Sequence, residues 1–78
     1  MQDLIDLAAK KRFCYWKGQT LVNGYVLQLG KTAFFNQQNL IEIVRMDDMY
    51  AVDIWVDTSH VMYTSLPLAR VLNLLKTL

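Results

Sequence analysis

One histidine and one cysteine are present in these 78 residues, so acid–base or nucleophilic chemistry would have to be built around His60 and Cys14. Asp57, Ser59 and His60 contain the letters of a hydrolase triad, but side chains of one tight turn cannot reach the nucleophile, base and orienting positions together. Asp53 and Asp57 fall on one face of an extended segment, and a two-residue turn at Thr58-Ser59 would set His60 across from Asp57. That pair could hold a cation or act as an acid–base couple. Two carboxylates and one imidazole, with no fourth protein ligand, make a poor metal site, so no metal is expected. A Cys14–His60 thiolate couple is disfavoured because Cys14 lies between Phe13, Tyr15 and Trp16, where a thiol is ordinarily inert packing. No Gly-x-Gly-x-x-Gly or phosphate loop offers a nucleotide cofactor a seat. The expectation is a protein that is not an enzyme, with no catalytic residues, cofactor or metal. An enzyme using Asp57 and His60 ranks last.

Binding chemistry has more to work with. The run Lys10-Lys11-Arg12-Phe13-Cys14-Tyr15-Trp16-Lys17 interleaves cations with aromatic rings, the combination that single-stranded nucleic acid uses for phosphates and bases. Lys10, Lys11, Arg12, Tyr15 and Lys17 are the contacts this reading needs. A footprint of four cations on a chain of net charge +1 would bind weakly and lose its ligand quickly with salt. The same cations also suit the C-terminal end of a helix, where they complement its dipole. The acids gather elsewhere: Glu42, Asp47, Asp48, Asp53 and Asp57 stand against Arg45 alone. Met46, Met49 and Met62, with Tyr50 and Trp55, suggest an adaptable recognition surface. If Trp55 and Met62 oppose each other beside Asp53 and Asp57, that sheet face is half apolar and half acidic, as protein interfaces often are.

The elements that must position these groups can be read from hydrophobic period. Asp3 to about Lys11 is a helix, with Leu4, Ile5, Leu7, Ala8 and Ala9 as its apolar stripe and Asp6 spaced to pair with Lys10. From Phe13 the period becomes two: Phe13 and Tyr15 share one face, Cys14 and Trp16 the other. Thr20 to Leu29 resumes the pattern, and Asn23-Gly24 is either a hairpin turn or, if the chain turns at Gly18, a bulge. After a turn at Gly30-Lys31 come a short strand Thr32 to Phe35 and a polar connection, Asn36 to Asn39. Leu40 to Met46 is a strand with Ile41 and Ile43 on one face, and Asp47-Asp48 turns it. In Met49 to Val56, Tyr50, Val52, Ile54 and Val56 alternate with Met49, Ala51, Asp53 and Trp55. A hairpin through Asp57-Thr58-Ser59-His60 leads to Val61–Thr64, so that Val56 faces Val61 and Ile54 faces Tyr63. Ser65 caps a terminal helix with Pro67 in its first turn.

The fold class is therefore α+β, one domain over 1–78. An N-terminal helix, an antiparallel sheet of about four to six strands and a C-terminal helix follow in order. The alternative is a small SH3-like or Sm-like barrel bent at Gly18, Gly24 and Gly30. Asn39-Leu40-Ile41-Glu42-Ile43 through Ser65-Leu66-Pro67-Leu68 resembles, in hydrophobic spacing, the strand-strand-strand-helix ending of LytTR-type DNA-binding domains. The likeness spans about half the chain, and no family is assigned on it.

A content of 54% apolar and 19% charged residues excludes a disordered chain. A chain this short buries only about 60% of its unfolded surface, and no disulfide can form from one cysteine. Yet Leu68, Val71, Leu72, Leu74, Leu75 and Leu78 give the last helix an apolar sector too broad for a thin sheet to cover. Those six residues, with Trp55 and Met62, are the expected contact surface of a homo-oligomer or of another protein partner. Nucleic acid is the weaker alternative. No stretch is long and apolar enough to cross a membrane, and the acids of Met1-Gln2-Asp3-Leu4-Ile5-Asp6 stand where a secretory signal carries cations, so a cytoplasmic location is expected. The expected function is a small non-enzymatic protein–protein interaction or regulatory module.

Overall fold

The computed structural model describes residues 2–19, 24–30, 39–56 and 59–78. Helix α1 (Gln2–Lys10) precedes strands β1 (Cys14–Gln19), β2 (Tyr25–Gly30), β3 (Asn39–Met46), β4 (Met49–Val56) and β5 (Ser59–Leu66), and helix α2 (Leu68–Lys76) follows them. The strands form one antiparallel sheet in chain order. β1 and β5 are its outer strands, so the sheet is open and the barrel alternative does not hold.

Alternation in the strands sends every second side chain to one face, and both helices lie on that face. Leu27 and Leu29 of β2, Ile41 and Ile43 of β3, and Tyr50 and Val52 of β4 are buried there. Leu4, Ile5 and Ala8 of α1 and Val71 and Leu75 of α2 close the core from above. The two helices also touch each other. Among the described residues, no helix or strand covers the opposite face.

α1 ends in a Schellman arrangement: the Phe13 N–H donates to the Ala8 carbonyl (2.9 Å) and the Arg12 N–H to the Ala9 carbonyl (3.1 Å). The residue that must turn left-handed is Arg12, at φ 62°, a place that favours glycine. The basic run does not merely cap its own helix. The Lys11 ammonium donates to the Lys76 carbonyl at the end of α2 (2.9 Å), and so ties the two helix C-termini together. Asp6 accepts from the Gln2 amide (2.9 Å) and makes no ion pair with Lys10.

Four local expectations are corrected. Val56 pairs with Ser59, Ile54 with Val61 and Val52 with Tyr63, so the β4–β5 hairpin closes two residues earlier than the four-residue connection would allow. A two-residue shift leaves each side chain on its expected face. Ser65 is not a helix cap: β5 runs on to Leu66, the pairing with β4 shifts between Tyr50 and Val52, and Ser65 has φ 55° within that bulge. The N-cap of α2 is Pro67, which offers no side-chain hydrogen bond. Gly18 is neither turn nor barrel corner, because β1 passes through it and pairs it with Val26. Asn23, the expected strand over 32–35 and Asp57-Thr58 lie outside the described residues.

Candidate functional site

The uncovered face is built in transverse rows. Cys14, Gly30, Leu40, Trp55 and His60 are neighbours across the five strands, and Trp16, Gln28, Glu42, Asp53 and Met62 form the next row. Gly18, Val26, Val44 and Ala51 follow. The central row places Glu42 directly opposite Asp53, and like charges so placed oppose pairing. Each carboxylate is satisfied on its outer side. The Gln28 amide donates to Glu42 Oε2 (2.9 Å), and His60 Nδ1 donates to Asp53 Oδ1 (3.0 Å). Because a carboxylate can only accept, that contact selects the His60 tautomer. His60 also stacks against Trp55, with ring centroids 4.2 Å apart and planes at 34°. Among the described residues no lysine or arginine pairs with either acid.

The aromatic groups flank this polar row. Trp16 is 51% exposed, and its indole lies over Gly18: a Cβ placed on Gly18 would stand 2.9 Å from Trp16 Cζ3. Glycine in mid-strand is therefore what lets the ring lie along the sheet. Met62 is 58% exposed at the other end of the row, and Trp55 is half-buried. Trp55, Met62 and Asp53 share the uncovered face with Glu42, but Trp55 and Met62 do not oppose each other as expected, and Asp57 lies outside the described residues. Trp55 faces His60, and Met62 faces Asp53.

The terminal helix is placed differently from the expectation. Val71 and Leu75 are 1% and 2% exposed within the chain's own core, which withdraws them from any contact surface. Leu68, Leu72 and Leu74 are half-buried against that core, and Leu78 remains exposed. The reason is that α1 lies beside α2 and shares the task of covering it. The larger uncovered apolar area is β5, where Val61, Met62 and Tyr63 are all exposed although they alternate between faces. Uniform burial in a helix is easy to read from sequence. Exposure on both faces of an edge strand depends on strand order, which the sequence does not print.

The basic-aromatic run is divided by the fold. Tyr15 and Lys17 are exposed on the helix side of β1, Trp16 on the uncovered side. Lys10 and Arg12 are exposed, whereas Lys11 is half-buried and engaged with α2. Cys14 and His60 share a row but stand at opposite edges of the sheet, four strand spacings or about 19 Å apart, so they form no couple. His60 and Asp53 sit on an open surface. The shallow hollow beside Trp55, lined by Phe13, Leu40, Ile41, Ile54, Val56 and Leu78, holds no ionisable side chain. Among the described residues no three metal-binding side chains converge, and no helix is long and apolar enough to cross a membrane. Comparison with protein-family models, curated proteins and solved structures finds no match to this chain.

Proposed function

We propose that this chain is a non-enzymatic protein–protein interaction module of the regulatory kind, cytoplasmic and self-associating, whose contact surface is the sheet rather than the last helix. The observation that carries this reading is the apolar surface the sheet leaves exposed: Val61, Met62 and Tyr63 on the outer strand β5, and Trp16 on a face that no helix or strand among the described residues covers. Large apolar side chains at the margins of a polar row favour a protein partner, since such surfaces gain from desolvation and keep specificity through hydrogen bonds.

Light scattering over a wide protein concentration range, together with an oligonucleotide shift at two salt concentrations, tests the proposal. Mass that grows with concentration and no shift at physiological salt is the expected result. A constant monomer mass, with a shift abolished by removing the charges of Arg12 and Lys17, would replace it with the nucleic-acid reading.

A further inference from the structure

We infer that two copies of this chain join edge to edge through β5, antiparallel and with Met62 facing Met62 of the second copy. The inference rests on the self-association proposed above and specifies its geometry.

β5 is an outer strand of eight residues, Ser-His-Val-Met-Tyr-Thr-Ser-Leu, without lysine, proline or acidic residue. Outer strands are ordinarily guarded by such residues or by cover, and an exposed apolar one is a template for another strand. Its guard is the bulge at Ser65, near its far end. The other outer strand, β1, is shorter and carries Lys17 and the indole-covered Gly18, so it is the poorer template.

The register follows from the hairpin. Val56 and Ser59 close the two-residue connection and so form a hydrogen-bonded pair. Pairs alternate from there, and the N–H and C=O groups of His60, Met62 and Thr64 point away from β4. A two-fold axis through Met62 uses all three: Met62 opposes itself and His60 opposes Thr64 of the other copy. Val61 then opposes Tyr63 on the helix side, and the bulge ends the ladder. Val61, Met62 and Tyr63, at 55%, 58% and 40% exposure, are covered in one step.

Charge favours the edge over the face. Edge pairing sets the two Asp53 residues three strand spacings apart, about 14 Å, beyond a Debye length of about 8 Å in physiological salt. Stacking two uncovered faces would instead bring both Glu42–Asp53 rows within about 10 Å, and among the described residues no lysine or arginine pairs with either acid. A five-residue ladder is smaller than the standard interface of about 1,600 Å², so the dimer forms with rising concentration and exchanges readily.

Sedimentation of the whole chain from low to high micromolar concentration is the test, with circular dichroism verifying the fold of each variant. Wild type shifts from monomer to dimer. Met62→Lys weakens the association by about tenfold or more, and Leu78→Lys leaves it unchanged. In a Cys14→Ser background, Met62→Cys is expected to form a disulfide-linked dimer on mild oxidation, because facing residues lie about 5.5 Å apart. Val61→Cys, offset from its own copy by two residues, does not link. A wild type that stays monomeric overturns both the self-association and this geometry. A dimer that survives Met62→Lys but is lost in Leu78→Lys or Trp16→Ala overturns the edge alone, and equal linking at 61 and 62 overturns the register.

Discussion

Replacing Arg12 by glycine should stabilise the protein even though it removes a charge and a long side chain. Arg12 closes α1 at φ 62°, and both hydrogen bonds of that closure use backbone atoms, so they survive the change. A left-handed conformation costs an L-residue about 1–2 kcal/mol, whereas glycine adopts it freely. Glycine loses more chain entropy on folding, about 0.5–1 kcal/mol, which leaves a net gain of roughly 0.5–1 kcal/mol. For a domain this small each kcal/mol moves the midpoint by about 4–8 °C, so Tm should rise by about 2–8 °C. Arg12→Ala is the control: it deletes the same charge but retains the left-handed penalty, and should give no gain. Thermal unfolding followed by circular dichroism, with urea midpoints as a second measure, reads both variants. A neutral or destabilising glycine, or an alanine that gains as much, would refute the backbone account. Asp47, at φ 57° in the β3–β4 turn, lies at the opposite end of the sheet, so the gain from Asp47→Gly should add to that from Arg12→Gly.

Leu75→Ala should lose about 2–5 kcal/mol in urea unfolding, a large share of the roughly 4–12 kcal/mol a chain of this length holds, while Leu78→Ala should lose well under 1 kcal/mol. Equal losses would contradict the division of α2 into a core face and an exposed end. Gly18→Val should push the Trp16 indole off the sheet, and in a Trp55→Phe background its emission should shift to the red and quench more readily with acrylamide; an unchanged spectrum would show that the ring does not depend on Gly18. Glu42→Gln removes one of two opposed charges while keeping the shape, and should raise stability by a few tenths of a kcal/mol at low salt, with the gain shrinking as salt is added. A gain that is independent of salt would assign it to something other than repulsion.

Much of the architecture could be read directly from residue period. The alternation Tyr50, Val52, Ile54 against Ala51, Asp53, Trp55 specifies both the strand and its buried side, and Asp47-Asp48 marks its turn. Period two cannot register a shift of two residues, so the closure of β4 on β5 at Val56 and Ser59 was open between several polar residues that all favour turns. The Ser65-x-Pro67 spacing looks like a helix start because serine and proline are common there. The structure uses serine for a bulge one strand residue before the chain leaves the sheet. Broad leucine coverage of α2 suggested excess apolar surface because the sequence does not say that α1 lies alongside. The hydrogen bonds of the uncovered face, Gln28 to Glu42 and His60 to Asp53, join residues 14 and 7 apart in the chain and become visible only when register is known.

Strand order equal to chain order has a bearing on synthesis. As the polypeptide leaves the ribosome, each strand after the first meets its neighbour already made, so the sheet can lengthen one strand at a time. The first helix has no such convenience. Leu4, Ile5 and Ala8 must find their place on the sheet while the surface destined for Val71 and Leu75 is still bare, since α2 is translated after every strand. The final seal, Lys11 on the Lys76 carbonyl, joins a residue made early to one made 65 positions later.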